Sequence, residues 1–359
     1  MMDMLTVPAP ISGPELSEQV KAGELFSEQS FEGFNLQQQD LSGAIFAAVT
    51  FNNCDFTQCD LRQVMFNQCE FNNCQFNQLD CNDVNFIEST LNQCHFENNQ
   101  QKSFNFIKCQ FEKARFCGND SEGGIFQQCS LIDAVFFQNN IEIGVFNECD
   151  LSGVEFEKNT MLKTTFNDCT FSGNRFVQCE FQQMFFSKAK LPGIDFSNMP
   201  LSLSQFMNCD LAGCDFSNSQ LKQTGFNGSS ITQCNFTAAD LELANLYEAD
   251  LTGAKFNNAN LNQASLQKAK LTSCDLTAAK LEMAQLKEAQ LTLSIFSRAY
   301  LVYADLSNSF ISECDFSGAN VYMAKMHESF EEKCIWSGAN RSSAQGTNEQ
   351  LKKAEQWGK

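Results

Sequence analysis

The sequence contains few of the residues on which catalysis and nucleic-acid binding depend. Its 359 residues include only two histidines, and 24 Lys and Arg stand against 43 Asp and Glu, which gives a net charge of −19. So acidic a chain repels the phosphates of nucleic acids. His95 and His327 have no plausible nucleophile beside them, and no glycine-rich phosphate loop or metalloprotease motif occurs. The sequence therefore predicts a protein that is not an enzyme, binds no cofactor or metal and does not contact nucleic acid directly.

Long apolar runs are missing as well. No stretch approaches the roughly 20 apolar residues that a membrane-spanning helix needs. The N-terminus also lacks the basic segment, apolar core and cleavage site of a secretory signal. We therefore expect a cytoplasmic protein that does not contact membranes.

What the sequence does contain is a repeat of five residues. From Phe26 to Trp336 every fifth residue is hydrophobic, with three exceptions, Gln101, Ser121 and Glu331. A period of five fits neither the 3.6-residue period of a helix nor the two-residue period of a strand, so the chain must turn every few residues and wind into a solenoid. When these central residues are sorted by a period of twenty, their chemistry separates into columns, which indicates four repeats in each coil.

The eighteen cysteines follow the repeat rather than the spacing of a disulfide framework or zinc motif. Sixteen of them lie two residues before a hydrophobic centre, where other repeats often hold Ala, Ser or Val. A buried cysteine in such a position packs like a small apolar group, and a reducing compartment keeps its thiol free. Zinc is a poor fit because no Cys-x-x-Cys pair comes with a matching His pair. We predict that the cysteines are reduced packing residues.

The repeat resembles that of the pentapeptide-repeat family, in which a small residue, Asp or Asn, and Leu or Phe are followed by two polar residues. Clear examples are Ala239-Asp240-Leu241, Ala249-Asp250-Leu251 and Ala259-Asn260-Leu261. The resemblance covers roughly residues 26–340. It implies an all-β fold, a right-handed quadrilateral parallel β-helix of about fifteen coils, with the central and small residues pointing inward.

The segments outside the repeats predict helices that cover the ends of the solenoid. For residues 1–25 we expect a flexible lead and a capping helix, because Ser12 and Pro14 are typical of a helix start and Gly23 of a helix end. Residues 26–340 are predicted to form the β-helix. In residues 341–359, the run Thr347-Asn348-Glu349-Gln350 has the form of a capping box. This segment predicts a second helix, which either plugs the solenoid or mediates docking or dimerisation.

One column of the predicted core is interrupted by polar residues. Its central positions include Gln101 and Ser121, and its small positions hold asparagine on four successive coils: Asn99, Asn119, Asn139 and Asn159. Two interpretations remain open. The stacked amides could form an internal hydrogen-bonded ladder. Alternatively, the wall of the solenoid is locally loosened, as the nearby Gly118, Gly123 and Gly124 also indicate.

Outward aromatic and methionine side chains are predicted near the C-terminal end of the repeats. We call this set the tyrosine surface; it consists of Met283, Tyr300, Val302, Tyr303, Tyr322 and Met323. Exposed clusters of this kind mark protein contacts more often than scattered apolar residues do. We predict a non-enzymatic scaffold that binds a protein partner, or a second copy of the chain as a homodimer, through this surface.

A competing hypothesis rests on a column of acidic residues, Asp40, Asp60, Asp80 and Asp120. Some pentapeptide-repeat proteins resemble a DNA duplex in shape and charge and bind DNA gyrase or topoisomerase IV. The resemblance therefore implies, as the alternative, a DNA-mimic regulator of gyrase. The start of the chain, residues 11–16, is also similar to pentapeptide-repeat proteins that accompany bacterial type VI secretion systems, which implies an accessory role in secretion.

Overall fold

A computed structural model describes residues 10–102 and 104–357, with only the backbone described at positions 80, 81, 101 and 102. The chain divides into two compact units, here called unit 1, which ends at residue 179, and unit 2, which begins at residue 180. Each unit is a parallel β-solenoid in which a residue pairs with the residue twenty positions further along. With about fifteen turns and, in the residues that the structure describes, only two short α-helices, the predicted all-β solenoid with terminal helices is confirmed.

Unit 1 begins with helix α1 (Gly13–Lys21), and its strands form four parallel sheets. Sheet I contains β1 (Phe26–Ser27), β3 (Ile45–Ala47), β5 (Met65–Asn67), β9 (Asn85–Ile87), β13 (Asn105–Ile107), β16 (Ile125–Gln127), β19 (Val145–Asn147) and β22 (Thr165–Asn167). Sheet II contains β2 (Ser30–Glu32), β4 (Thr50–Asn52), β6 (Glu70–Asn72) and β10 (Thr90–Asn92). Sheet III contains β7 (Gln75–Asn77), β11 (His95–Glu97), β14 (Arg115–Cys117), β17 (Val135–Phe137), β20 (Glu155–Glu157) and β23 (Arg175–Val177). Sheet IV contains β8 (Asp80–Asn82), β12 (Gln100–Lys102), β15 (Asp120–Glu122), β18 (Asn140–Glu142) and β21 (Thr160–Leu162).

Unit 2 has fewer strands and more single-residue parallel bridges, such as Asp210 with Ser230. Its strands are β24 (Glu180–Gln182), β25 (Phe185–Ser187), β26 (Gln205–Met207), β27 (Lys270–Thr272), β28 (Gln290–Thr292), β29 (Phe310–Ser312) and β30 (Phe330–Glu332). Strands β27 to β30 form one parallel sheet. A 3₁₀ turn (Arg341–Ser343) and helix α2 (Glu349–Gln356) follow.

The Asp or Asn that precedes many repeat centres has a local structural role. In such repeats its side-chain oxygen accepts a hydrogen bond from the backbone N–H two residues later, as Asp55 does from Thr57 at 2.9 Å and Asp250 from Thr252 at 3.0 Å. This bond closes a tight turn around the centre, which is why these residue types are favoured there. A repeat closed in this way contributes one bridge rather than a three-residue strand, and such repeats are frequent in unit 2.

The core consists of the central side chains stacked from coil to coil. In unit 1 the rings of Phe56 and Phe76 lie 4.8 Å apart between centroids and nearly parallel, and those of Phe66 and Phe86 are also 4.8 Å apart. This distance is the spacing of hydrogen-bonded strands, so the ring stacks follow directly from the backbone register. Each fully buried Phe contributes about 1.5–3 kcal/mol of transfer free energy.

The cysteines fill the small inward positions, as predicted. Of the seventeen whose side chains are described, fifteen are buried and none forms a disulfide. Their thiols point at the backbone of the preceding coil; the Cys109 Sγ donates to the Phe86 carbonyl at 3.3 Å. Burial raises the pKa of the Cys69 thiol to about 11, so the group stays protonated at neutral pH.

The asparagine column forms a hydrogen-bonded ladder inside unit 1. The Oδ1 of Asn139 accepts from the backbone N–H and the side-chain Nδ2 of Asn119, at 3.0 and 2.9 Å. The Nδ2 of Asn139 donates to the Phe116 carbonyl and to the Oδ1 of Asn159, both at 2.9 Å. All the hydrogen-bonding capacity of this buried amide is therefore used, which is the condition for placing it in a core.

Helix α1 covers the first coil through one buried face. The Oγ of Ser12 caps the helix by accepting from the Glu15 N–H at 3.4 Å, and Leu16 is fully buried. Ser17 donates to the Asp40 carbonyl at 2.8 Å, which uses a backbone acceptor that the end of the solenoid would leave unpaired. A Cβ at Gly13 would lie 2.2 Å from a backbone oxygen of the first coil, so only glycine allows this close approach.

Helix α2 differs from the predicted C-terminal helix in its start. Its cap is Asn348, whose Oδ1 accepts from the N–H groups of Gln350 and Leu351 at 3.0 and 3.1 Å. The capping box predicted to begin at Thr347 is wrong, because the Thr347 hydroxyl instead accepts from the Glu328 N–H of the last coil at 3.3 Å. The helix therefore starts one residue later than the sequence pattern indicates.

The large apolar residues of α2 and of its C-cap do not plug the core. Leu351 is 45% exposed and Trp357 is 93% exposed, and no residue of the helix is buried. Polar contacts hold the helix instead: the Lys352 ammonium lies 2.7 Å from the Glu328 carboxylate. Residues 341–345 still follow the solenoid, since Gln345 pairs with Lys325 as the next coil would.

Thiol accessibility tests the inward placement of the cysteines. Cys117 and Cys334 are the two described cysteines that are only half-buried, and we expect them to supply the fast phase of native thiol titration. Burial raises the pKa of both thiols, so their labelling should be slower than that of a free cysteine and should accelerate as the pH rises. A variant carrying Cys117→Ser and Cys334→Ser should lose the fast phase; rapid labelling of Cys109 in it would contradict the structure.

The amide ladder predicts a large difference between two adjacent asparagines. Asn139→Ala leaves the Asn119 backbone N–H and the Phe116 carbonyl without their partners, so the free energy of unfolding should fall by at least about 2 kcal/mol. Asn140→Ala, its matched control, removes only an exposed bond to Asp120 and should change stability by about 0.5 kcal/mol or less. Denaturation in urea measures both values, and equal effects would show that the ladder contributes little.

Candidate functional site

Four side chains of the tyrosine surface are about half exposed on unit 2: Met283, Tyr300, Tyr303 and Tyr322. Met283 and Tyr303 occupy corner positions with φ near +57°, one coil apart, and the Tyr303 N–H donates to the Tyr322 carbonyl at 3.0 Å. The rings of Tyr303 and Tyr322 contact edge to face with their centroids 6.0 Å apart. The surface is therefore apolar, and its backbone is fixed by hydrogen bonds between coils.

Val302 is not part of this exposed surface, although the sequence predicted it there. It is only 7% exposed. Val302 and Tyr322 occupy the same repeat position on successive coils. Because the coils are about 4.8 Å apart, the longer tyrosine side chain lies beside Val302. Met323 is also partly covered, because the Gln345 side chain reaches its sulfur at 3.7 Å.

A second exposed aromatic pair lies on the sheet formed by β27 to β30. The rings of Phe310 and Phe330 stack with centroids 5.1 Å apart and planes within 5°, and both side chains are about half exposed. Leu293, Ile295 and Ile335 are further exposed apolar residues of the same unit. The sequence alone does not predict this exposed pair, because each Phe precedes a repeat centre, a position that is usually polar. The available signal was phenylalanine at that position in two successive coils.

His327 anchors α2 through both of its ring nitrogens. Its Nδ1 accepts from the Asn348 N–H at 3.0 Å, and its Nε2 lies 3.2 Å from the Glu355 carboxylate. Both ring nitrogens are thus engaged by the helix segment, and the ring is buried. Beside it is a polar cleft of about 310 Å³, lined by groups of both charge signs that include Lys287, Asp305, Lys325 and Glu355.

The acidic column lies along sheet IV and the coils before it, and it is interrupted. Asp40 pairs with Asp60, whereas Gln100 separates Asp80 from Asp120. The Asp60 carboxylate is held by the Arg62 guanidinium at 2.6 Å, and this contact lowers the pKa of the carboxyl group below its usual value. The column is therefore not a continuous row of free carboxylates; the side chain of Asp80 lies outside the described atoms.

Further carboxylates of the column are engaged locally. Asp40 accepts from the Ser42 backbone and hydroxyl at 3.0 and 2.7 Å, and Asp120 accepts from the Asn140 amide at 2.8 Å. Among the described residues, no group of three or more His, Cys, Asp and Glu is arranged to hold a metal ion. In that same part of the chain, every helix is too short or too polar to cross a membrane.

Several solved structures are similar to this chain. HetL, a pentapeptide repeat protein involved in heterocyst differentiation regulation in the cyanobacterium Nostoc sp. strain PCC 7120, is 24% identical over 57% of this chain and 88% of its own, with a TM-score of 0.22. A pentapeptide repeat protein from the thylakoid lumen of Arabidopsis thaliana is 35% identical over 28% of this chain and 69% of its own, with a TM-score of 0.27. Full-length QnrB1, a plasmid-mediated fluoroquinolone resistance protein, is 17% identical over 64% of this chain and 92% of its own, with a TM-score of 0.18.

No protein of curated function matches the chain. Two family models do. The model of the pentapeptide repeat region matches residues 49–126, 139–213 and 202–277, and the model of eight pentapeptide repeats matches residues 25–63 and 294–329. Together they cover far more than half of the sequence and coincide with the solenoid coils described above. The chain therefore belongs to the pentapeptide-repeat family.

Proposed function

We propose that this protein is a non-enzymatic scaffold that binds a protein partner through the tyrosine surface. The main support for this proposal is a set of four half-exposed side chains on hydrogen-bonded coils of unit 2: Met283, Tyr300, Tyr303 and Tyr322. Proteins of this repeat family are in general structural or interaction proteins, which supports a binding role. We further propose a cytoplasmic location, because the unpaired thiols suit a reducing compartment.

Tyrosines held in this way suit a binding surface energetically. A tyrosine has few rotatable bonds and combines a large apolar ring with a hydroxyl group, so it gains contact area at a small cost in conformational entropy. The corner backbone of Tyr303 is fixed by its bond to the next coil, and the Tyr322 ring rests against the Tyr303 ring. The surface is thus ordered before a partner arrives, which reduces the cost of binding.

The partner that we test first is a second copy of the chain. Exposed apolar side chains of a repeat surface can contact the same side chains of another copy around a two-fold axis. An accessory role in secretion would require a different partner. The segment that resembles secretion-associated proteins is used for folding here, since Ser12 caps α1 and Leu16 packs in the core. We therefore base the partner proposal on the tyrosine surface alone.

Replacing Tyr303 and Tyr322 by serine should abolish self-association. Both side chains point outward, so the circular dichroism spectrum and the melting curve should remain close to those of the unchanged protein. Tyr247→Ser is the matched control, because Tyr247 lies elsewhere in unit 2 and contacts Lys268. Light scattering across a range of concentrations measures the effect.

Two results would contradict the dimer proposal: a monomer at all concentrations, or a dimer that survives the double substitution. A photo-crosslinking residue at position 303 then tests the broader proposal. It should capture a specific protein in the native cell, while the same residue at position 247 should not. Equal capture from both positions would contradict the tyrosine surface as a binding site.

The DNA-mimic alternative predicts a different outcome in a gyrase assay, and we expect that assay to be negative. Gln100 interrupts the acidic column, and Asp60 is already paired with Arg62, so the charge available to imitate a phosphate backbone is limited. We expect no inhibition of gyrase supercoiling and no protection from quinolones at micromolar protein. Potent inhibition that weakens with salt and with Asp40→Asn would instead favour mimicry.

A further inference from the structure

Unit 1 contains a small, partly open cavity beside the asparagine ladder. Its volume is about 30 Å³. A single water molecule requires about 10–15 Å³, so the cavity is large enough to hold one. Half of the twelve lining residues are phenylalanine: Phe104, Phe106, Phe116, Phe126, Phe136 and Phe146. We call this feature the phenylalanine cavity. It is separate from the tyrosine surface, which belongs to unit 2.

Two departures from the repeat create the cavity. Ser121 occupies a central position where most coils have a large apolar side chain, and Gly124 occupies a small position that carries at least a Cβ on every other coil except that of Gly144. A Cβ built on Gly124 would meet its nearest neighbour, the Phe104 carbonyl oxygen, only at 3.9 Å, so there is unfilled space. At Gly144, one coil further, a Cβ would lie 2.7 Å from Ile141, which shows that Ile141 fills the corresponding space there.

The cavity approaches the surface of unit 1 at these same residues. Ser121 and Gly124 are half-buried, whereas repeat centres and small positions elsewhere in the unit are almost all buried. The rings behind them are held in place, since Phe116 stacks on Phe136 at 4.6 Å and Phe126 on Phe146 at 4.7 Å. A small solute can therefore reach a preformed aromatic interior.

The two asparagines in the lining favour an apolar occupant over water. Asn139 uses its carbonyl oxygen and both amide hydrogens within the ladder. Asn119 donates its amide hydrogens to the Phe96 carbonyl and to Asn139. A buried water needs two to four polar partners, and amides that are already paired do not supply them. An apolar solute needs none and gains dispersion contacts with the rings.

We propose that the phenylalanine cavity is a binding site for a small apolar solute, of about the size of a xenon atom or a dioxygen molecule. The serine and glycine at its entrance admit the solute, the ring faces contact it, and the paired asparagines exclude water. The site does not depend on the proposed scaffold function, because its residues and those of the tyrosine surface lie in different units.

Xenon binding to the full-length protein tests this proposal. We expect saturable xenon-induced shifts in methyl and aromatic NMR spectra, centred on Ile141 and the lining rings. Gly124→Ala places a methyl group in the free space, so it should remove these shifts without lowering the melting temperature. The matched control is Gly346→Ala, which adds the same methyl group at an open position of unit 2 and should leave xenon binding unchanged.

A second variant fills the same cavity independently, so the proposal can still be tested if the first variant does not fold. Ser121→Ile copies Ile141, the residue that pairs with Ser121 on the next coil, and should also remove the xenon-induced shifts. Persistence of the shifts in both filled variants would overturn the proposal, as would the absence of saturable shifts in the unchanged protein. An ordered water in the cavity that xenon does not displace would likewise overturn it.

Discussion

The hydrogen bonds between successive coils are the interaction on which the rest of the structure depends. At many repeat centres a backbone N–H donates to the carbonyl nineteen residues later, as from Phe56 to Gln75 at 2.8 Å. The corner residues add the same bond from Gln58 to Asn77 at 2.9 Å, and this bond helps to offset the cost of their positive φ. Because both sets repeat from coil to coil, each residue lies beside the one twenty positions away.

Because of this register, residues at the same repeat position on successive coils form columns. Rings stack on rings, thiols repeat at the small positions, and the buried asparagines pair with one another, because each side chain has the same repeat position as its neighbour on the next coil. Such pairing makes a buried polar column tolerable where an isolated asparagine would be costly. It also explains why the sequence keeps its frame of five without insertions: a shift of one residue would turn inward side chains outward.

Functional candidates arise where the columns depart from the repeat. Tyr303 and Tyr322 place large rings at outward positions that are usually polar, and Phe310 with Phe330 does the same on another sheet. At Ser121 the departure is inward, and a side chain smaller than that of Ile141 on the next coil leaves space instead of adding surface. The regular coils supply rigidity, while the departures supply chemistry that a uniform solenoid would lack.

The sequence by itself determined the period, the all-β solenoid, the inward cysteines and the start of α1, because these depend on patterns within one coil or one helix. Only the tertiary structure decided the rest. The burial of Val302, the cap at Asn348 instead of Thr347 and the exposed Phe310–Phe330 pair all depend on which side chain stands on the adjacent coil. The asparagine column could be read as a ladder or as a loosened wall, and the structure shows both: the stacked amides hydrogen-bond to one another, as Asn139 does to Asn159, while Ser121 and Gly124 leave a cavity beside them. Contacts between coils decide such features, and a linear pattern does not specify how neighbouring side chains share the space between them.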